Sequence, residues 1–467
     1  METWYTAKAG GMTQADFSYF SDWSDAEQRI ERAHDLYEAG RWNDALGELE
    51  AALAINPHNH NWLFNKGLTL DALERYEEAA EAYQGALALE AHDLETLNCL
   101  GIDYTRLGQH ERALATFEQI EEADPTFEPA YCNRIITYAE LGRHDEAEAM
   151  FYLARQIREE CPLCYTNMGN SLFARKEYDR AVWCWRRARE LDGAQPHLEY
   201  RMAQALWAKG DRQGARQEFL AALRRQPGDL EVLLEAGILL LEMNELEGAG
   251  EKFHRIVELE PRHAQAQHYL GEIALQQGRI APAVECFHRA VEADGNLPGS
   301  RYRLGECYLL LGQQANAREA LLEELRFTTA QGDLLADVGC LLLEAGERGE
   351  AMRCFERAIQ TDPEEHLAYH NLSVCYYTAG LLEQGMDLSQ KVLELAPTFV
   401  PALANLAYAH WRRREFGAAR RYVGEALREA PGDEQLRRLR RRIATGGAVE
   451  QVVRPLRWLH RLAAARG

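Results

Sequence analysis

The sequence lacks long apolar runs, a leader-like start and a disulfide-rich composition. No stretch reaches the roughly 18 consecutive apolar residues that a membrane-spanning helix needs. The opening residues, METWYTAKAGG, contain no basic region followed by an apolar core, which a secretory leader would have. Ten cysteines in 467 residues are too few and too scattered for a disulfide scaffold, and they fit a reducing compartment. These absences predict a cytoplasmic protein.

Motifs that carry chemistry are also scarce. The fifteen histidines show no H-E-x-x-H or comparable spacing, and there is no glycine-rich phosphate loop. A net charge of −22 argues against generic nucleic-acid binding, because affinity for phosphates comes mostly from Lys and Arg. The sequence therefore predicts a protein that is not an enzyme, with no cofactor, no metal and no nucleic-acid partner.

The positive feature of the sequence is a 34-residue repeat. Windows counted from Ala26 run to Asp433 without insertion or deletion, which gives twelve repeats. The eighth place of the window is Gly or Ala in ten repeats, and the twenty-fourth is aromatic in eight. The twentieth place is a small residue in every window: Ala45, Ala79, Ala113, Ala147, Ala181, Ala215, Ala249, Ala283, Ala317, Ala351, Gly385 and Ala419.

Residues 94–127 show the repeat most plainly and give a mechanical reason for it. Two antiparallel helices cross closely only where small residues let the backbones approach, and Gly101 and Ala113 are those residues. Tyr104 and Phe117 then fill the space beside the crossing. The window thus predicts a pair of antiparallel helices, and the array predicts an all-α fold.

These spacings resemble the tetratricopeptide repeat (TPR) family, whose pattern is W-x2-L-G-x2-Y, then A-x3-F, then P. In residues 94–127 the pattern is matched by Leu97, Leu100, Gly101, Tyr104, Ala113, Phe117 and Pro125, with Leu97 in place of the first aromatic. The resemblance implies a right-handed superhelix, an α-solenoid of helix-turn-helix repeats whose first helices line a groove for peptides or partner proteins. It implies no catalysis, since TPR enzymes carry their chemistry in a separate domain.

Family geometry turns the second, fifth, ninth, twelfth and thirteenth places toward the groove. These places hold eleven acids but only two basic residues, Arg106 and Arg412, so we expect an apolar, aromatic or basic partner. The basic clamp by which TPR co-chaperones hold the carboxylate end of heat-shock proteins is not found in adjacent windows. Nine aromatic residues occupy groove places: Tyr37, Phe64, Phe173, Tyr200, Trp207, Tyr302, Tyr377, Tyr408 and Trp411.

A column of asparagines marks the sixth place of five windows. In the longest TPR superhelices such a ladder binds the backbone of an extended peptide, since an amide both donates and accepts hydrogen bonds. The alternative is that asparagine is simply common at this place. The ladder would form two peptide-binding segments, one with Asn65, Asn133, Asn167 and Asn170, and one with Asn371 and Asn405 beside Tyr377, Tyr408 and Trp411.

The two ends of the chain lie outside the array. Residues 1–25 form an aromatic arm that either packs over the first repeat or occupies the groove, and the capping-box pair Ser24 and Glu27 predicts that the first helix starts there. Residues 434–467 hold nine Arg and two Glu. We expect a capping helix at 435–443 and an apolar stripe at 449–462, which either caps the array or contacts an anionic membrane or an acidic partner.

Cys161 and Cys164 form a C-x2-C motif whose context argues against known uses. A thioredoxin-like site needs a strand before the motif, and the surroundings are all helical. A zinc site needs four ligands, and no second matching pair is present, although Cys132 and His144 are conceivable contributors.

Two functions follow. The first is a non-enzymatic scaffold or adaptor that holds an extended peptide or partner protein in its groove. The alternative is a chaperone or a regulatory or targeting subunit of an enzyme or secretion complex, docked through the basic C-terminal helix.

Overall fold

The structure is a computed structural model that describes residues 14–445 apart from 194, 196 and 328–331. Within these residues the chain forms twenty-five α-helices and no strand. The first helices of the successive pairs are α1 (Gln14–Glu38), α3 (His60–Ala72), α5 (Leu94–Arg106), α7 (Glu128–Glu140), α9 (Pro162–Ala174), α11 (Leu198–Lys209), α13 (Leu230–Glu242), α15 (Ala264–Gln276), α17 (Ser300–Leu310), α19 (Gly332–Glu344), α21 (His366–Thr378) and α23 (Val400–Arg412).

The second helices of the pairs start every 34 residues without exception, from Trp42 to Phe416. They are α2 (Trp42–Ile55), α4 (Tyr76–Leu87), α6 (His110–Ala123), α8 (His144–Ile157), α10 (Tyr178–Leu191), α12 (Arg212–Arg225), α14 (Leu246–Leu259), α16 (Ile280–Ala293), α18 (Gln314–Phe327), α20 (Arg348–Thr361), α22 (Leu382–Leu395) and α24 (Phe416–Glu429), followed by α25 (Glu434–Thr445). The predicted all-α array of twelve helix pairs is confirmed.

The turn between the two helices of each pair has a fixed geometry. One residue, at the fifteenth place, has a positive φ in all twelve repeats. Glycine occupies this place in eight repeats, which fits its freedom to adopt the left-handed region. The other four are Glu74, Lys176, Asn244 and Arg414, whose φ values are 58–64°. The repeat therefore tolerates a side chain at this turn at some backbone cost.

Close packing inside a pair depends on the eighth-place glycines. A Cβ added to Gly101 would lie 2.5 Å from Phe117 Cε1, and one added to Gly169 would lie 2.5 Å from Trp185 Nε1. Gly237 faces Phe253 and Gly271 faces Phe287 in the same way. The ring at the twenty-fourth place thus occupies the volume that a side chain at the eighth place would need, which is the packing predicted for residues 94–127.

The chain divides into two compact units, residues 1–232 and residues 233–467. In the first unit the buried aromatics Tyr83, Phe117 and Trp185 lie between the paired helices. In the second unit Phe253, Phe287 and Phe355 occupy the same repeat place. Each core is a chain of similar local clusters, as expected where a repeat buries its apolar face mainly against its neighbours.

The ends of the array differ partly from expectation. The first helix starts at Gln14, so the predicted start at Ser24 is wrong: the capping-box pattern lies inside a continuous 25-residue helix, where the backbone amides already have partners. The helix predicted at 435–443 is observed as α25, which packs Leu436 and Ile443 into the second unit. Residues 1–13 of the arm and the apolar stripe at 449–462 lie outside the described residues.

Among the described residues, no helix combines the length and the apolar character needed to cross a membrane.

Candidate peptide-binding groove

Three of the predicted asparagine amides bind the preceding repeat. Asn133 Nδ2 donates to Asn98 Oδ1 at 2.8 Å, and Asn167 Nδ2 donates to the backbone carbonyl of Cys132 at 2.8 Å. Asn371 Nδ2 donates to Cys340 Sγ at 3.3 Å. Each contact joins successive first helices, so these amides already carry a structural role in stacking one repeat on the next.

Of the other three asparagines, Asn65 is buried, and Asn170 and Asn405 are half-buried. Asn170 Oδ1 accepts hydrogen bonds from Trp185 Nε1 at 3.2 Å and from Arg201. Asn65 is 3% exposed, and its Oδ1 has no hydrogen-bond partner among the described residues. Asn405 Nδ2 is likewise buried without a partner in the described part of the chain. The structure places all six on first helices, but in two separate units.

The predicted groove aromatics pack against the second helices of their own repeats. Tyr200 and Trp207 each place their rings 6.2 Å from the Phe219 ring, measured between centroids. The Tyr377 hydroxyl lies 3.1 Å from Ser389 Oγ. In the last repeat, Trp411 is 5% exposed and its ring lies 5.8 Å from that of Tyr408. Tyr200 and Trp411 are therefore buried, and Trp207, Tyr377 and Tyr408 are half-buried.

Tyr302, another of the nine predicted groove aromatics, lines a cavity in the second unit. The cavity has a volume of about 330 Å³ and lies among three consecutive first helices, α13, α15 and α17. Its lining residues are Leu241, His268, Tyr269, Glu272, Gln276, Gly299, Tyr302 and Arg303. Family geometry places this surface on the groove side. Tyr302 is one of the aromatic residues predicted from the sequence to face the groove, whereas the cavity itself has no signal in the sequence.

Two lining residues of this cavity, Glu272 and Arg303, belong to an ion-pair network. Arg303 Nε donates to Glu272 Oε1 at 2.6 Å, and Arg303 Nη1 donates to Glu306 Oε2 at 2.7 Å. Burial raises the pKa of Glu272 above its usual range, although Arg303 opposes the shift. Burial, aided by Arg303, lowers the pKa of His268 to about 4, so its ring is neutral at pH 7. Two carboxylates around one guanidinium give this network an excess of negative charge, although Glu306 itself does not line the cavity.

A second cavity of about 750 Å³ lies among α14, α15 and α16. Its lining includes His254, Leu270, Ile273 and Cys286. None of the predicted groove residues lines it, because it opens between second helices.

The first unit contains a buried carboxyl pair beside one of the two predicted basic groove residues. Arg106 Nη1 lies 2.9 Å from Asp71 Oδ1 and 3.6 Å from Asp103 Oδ1, and Tyr83 Oη donates to Asp71 Oδ2 at 2.9 Å. Asp103 is fully buried. Burial, followed by the neighbouring Asp71, raises the pKa of Asp103 to about 9. At neutral pH the pair therefore keeps a proton.

This proton makes stability depend on pH. The folded chain holds it up to about pH 9, whereas the unfolded chain releases it near pH 4, so stability falls as pH rises between these values. We expect Asp103→Asn to reduce the slope of the free energy of unfolding against pH, by up to about 1 kcal/mol per pH unit. Urea unfolding of the full chain at several pH values measures this slope. Exposed Asp145→Asn is the control, and an unchanged pH slope in Asp103→Asn would contradict the prediction.

The C-x2-C motif lies at the start of α9 and faces α7. Cys164 forms a disulfide with Cys132, and Cys161 Sγ lies 3.6 Å from Cys132 Sγ. Burial, followed by Glu128, raises the pKa of Cys161 to about 11, opposite to the lowered pKa of catalytic thiols. His144, a conceivable ligand from sequence, instead places Nδ1 3.0 Å from Ser171 Oγ.

The chain resembles known proteins in sequence and in fold. The tetratricopeptide repeat profile matches residues 30–93, 100–160, 166–229, 200–264 and 338–398, more than half of the chain. The profile of anaphase-promoting complex, cyclosome, subunit 3 matches residues 242–324. Hsp70-Hsp90 organizing protein 1 of Glycine max is 25% identical over 120 residues, which are 26% of this chain and 21% of that protein. The chain thus spans about a fifth of the length of this curated relative.

Two solved structures are similar over most of the chain. One is the APC/C hetero-tetramer Cut9-Hcn1, with 16% identity, a TM-score of 0.42 and coverage of 92% of this chain and 99% of that chain. The other is yeast Tom70, with 14% identity, a TM-score of 0.40 and coverage of 84% and 96%. Together with the repeat register, the profile matches establish that the chain belongs to the tetratricopeptide repeat family.

Proposed function

We propose that this protein is a non-enzymatic scaffold or adaptor that holds a segment of a partner protein against its first helices. The observation that carries the proposal is the 330 Å³ cavity among α13, α15 and α17. Membership of the tetratricopeptide repeat family supports it. Two names also support it. One relative is Hsp70-Hsp90 organizing protein 1, and the second matching profile is that of anaphase-promoting complex, cyclosome, subunit 3.

The cavity suits one or two side chains of a partner. Its volume lies at the lower end of the roughly 300–1,000 Å³ typical of ligand sites. Leu241, Tyr269 and Tyr302 offer apolar contact. Arg303 of the lining is paired with two carboxylates, that of Glu272 in the lining and that of Glu306 outside it, so the carboxylates outnumber the guanidinium. We therefore propose a partner segment that places an apolar or aromatic side chain in the cavity next to a basic residue.

The predicted asparagines lie in other repeats than this cavity and take a supporting role in the proposal. In the first unit, Asn133 and Asn167 help to set the mutual positions of the first helices across which a peptide backbone would lie, and Asn371 does the same in the second unit. Direct contact of a peptide with these amides stays a prediction. We also propose a cytoplasmic location, which the eight cysteines present as free thiols support.

Replacing Tyr302 tests the groove. We expect Tyr302→Ala to weaken partner binding by at least about tenfold, because central aromatic contacts dominate such interfaces. A photo-crosslinking amino acid at exposed Gln276, at the cavity rim, traps the partner in cell extract for identification by mass spectrometry. Titration calorimetry with the purified partner then compares the variants.

Tyr308→Ala is the matched control, since Tyr308 lies on the same helix but outside the cavity and contacts His288. Equal affinities for the two variants would contradict the groove proposal. If both bind normally and removal of residues 446–467 abolishes binding, the docking alternative is supported. That alternative rests on the nine arginines of residues 434–467, four of which the truncation removes. Replacing exposed Arg440, Arg441 and Arg442 of α25 with Gln tests the part that the truncation leaves in place.

A further inference from the structure

Two short sequence pairs bring four metal-ligating groups together in the first unit. Glu128 and Cys132 lie four residues apart on α7, so their side chains share one helix face. Cys161 is the N-cap of α9, and Cys164 lies in its first turn. The three sulfurs and a Glu128 carboxylate oxygen all lie within 4.8 Å of one another. All three cysteines are buried, and Glu128 is half-buried.

The separations among these atoms resemble the edges of a metal-centred tetrahedron. Zn²⁺ with sulfur and oxygen ligands gives edges of about 3.8 Å between sulfurs and about 3.6 Å from sulfur to oxygen. Cys132 Sγ lies 3.6 Å from Cys161 Sγ, and Glu128 Oε1 lies 3.2 Å from Cys164 Sγ and 2.8 Å from Cys132 Sγ. The separation that departs most from these tetrahedral values is that between Cys132 Sγ and Cys164 Sγ, because the two atoms are joined by the disulfide bond.

The disulfide alone does not account for the other two groups. Disulfide sulfurs carry no hydrogen, so neither Cys132 nor Cys164 can donate to the Glu128 oxygen that both of them contact. A carboxylate oxygen and a third sulfur packed against two sulfurs form an electron-rich cluster. A cation between the four atoms explains why they converge, because each of them is then a ligand.

The start of α9 supplies an outer contact of the kind that metal sites use. The backbone amide of Cys164 donates to Cys161 Sγ at 3.3 Å. Amide hydrogen bonds and the positive end of a helix both favour the thiolate form of a cysteine ligand. Three thiolates and one carboxylate around Zn²⁺ carry the same formal charge as the common four-thiolate zinc site.

We propose that, when the Cys132–Cys164 disulfide is reduced, Glu128, Cys132, Cys161 and Cys164 bind one Zn²⁺ in a four-coordinate site. The disulfide and the metal are then alternative links between the same two helices, α7 and α9. A reducing environment gives the metal-bound form, and an oxidising one gives the disulfide. Both forms keep neighbouring repeats of the first unit together, so loss of the disulfide does not leave this junction unlinked.

A phosphine reductant converts the disulfide-bonded form into the form that binds Zn²⁺. The disulfide takes up two electrons and two protons to give two thiols, while the phosphine becomes its oxide with an oxygen atom from water. Binding of Zn²⁺ then displaces one proton from each of the three thiols into the buffer, and forms three Zn–S bonds and one Zn–O bond.

Titration with Co²⁺, a coloured substitute for Zn²⁺, tests the proposal. The full chain is reduced with a phosphine and freed of reductant by gel filtration without oxygen. We expect thiolate-to-cobalt charge-transfer bands and the intense visible bands of tetrahedral Co²⁺, which saturate at about one ion per chain and disappear on addition of Zn²⁺. Unreduced protein should give none of these bands. Absence of thiolate bands in the reduced wild type overturns the proposal.

Variants assign the ligands. We expect Cys132→Ala and Cys161→Ala to weaken binding by at least about tenfold, and Glu128→Gln by about 10–100-fold. Cys184→Ala, which removes another buried thiol of the first unit, is the matched control and should bind as the wild type does. Equal binding by Cys161→Ala and Cys184→Ala overturns the assignment. Should a variant fail to fold, the melting temperature of the reduced wild type decides, because bound Zn²⁺ must raise it.

Discussion

Trp185→Ala is expected to lower the free energy of unfolding of the first unit by about 3–5 kcal/mol, the usual cost of removing a large buried aromatic side chain. Trp185 is 1% exposed and lies over Gly169, where its ring occupies the space that a side chain would need. Its Nε1 donates to the Thr166 carbonyl and to Asn170 Oδ1, each at 3.2 Å. Alanine leaves a cavity and removes the donor for both acceptors, and both effects destabilise the fold.

The same helix supplies the control for this variant. Trp183 is 57% exposed, and its ring lies 5.8 Å from that of Tyr165. Trp183→Ala should therefore cost less than about 1 kcal/mol. Urea unfolding followed by circular dichroism compares the two variants. Similar midpoints would mean that the buried and exposed faces of α10 have been assigned wrongly.

Gly101→Ala is expected to destabilise the first unit by about 1–3 kcal/mol, even though alanine is the better helix former. The added Cβ would meet Phe117 Cε1 at 2.5 Å, and Phe117 is fully buried, so its ring cannot move aside without disturbing the next repeat. The higher helix propensity of alanine offsets only about 1 kcal/mol of this cost. Thermal unfolding of the full chain, with circular dichroism as the signal, measures the net effect.

Gly47→Ala separates crowding from helix propensity. Gly47 lies inside α2, and a Cβ there would meet nothing within 4 Å. The same substitution should therefore raise stability by about 0.5–1 kcal/mol, because only the backbone term changes. The prediction for Gly101 is wrong if both variants shift the unfolding midpoint in the same direction.

The asparagine column illustrates the limit of repeat periodicity. Its register is correct, since Asn133, Asn167 and Asn371 all lie on first helices. Periodicity gives the helix face, but it does not say whether an amide bonds to a ligand or to the neighbouring repeat. In the structure the three amides bind the neighbouring repeat, at a distance along the chain of about one window.

The cysteine cluster shows the same limit for a site. The sequence shows the C-x2-C motif and suggests Cys132 and His144 as further ligands, whereas the structure brings Glu128 to the cluster and leaves His144 beside Ser171. Glu128 and Cys132 share a face of α7, and that face meets the start of α9 only because the repeats stack with a constant offset. Glu128 and the C-x2-C motif lie about one 34-residue window apart, at the starts of adjoining first helices. This spacing is the sequence signal that points to Glu128 as a ligand.

By itself the sequence determined the repeat, its length, its phase and the glycine–aromatic packing found in six of the twelve pairs. These properties follow from local rules, because a helix pair buries its apolar face against sequence neighbours and the same small residues recur every 34 positions. The helix start at Gln14, the cavity beside Tyr302, the proton held by Asp103 and the convergence of Glu128 with three cysteines were decided only by the tertiary structure. They depend on distances between side chains of different helices, and those distances are set by how the helices pack.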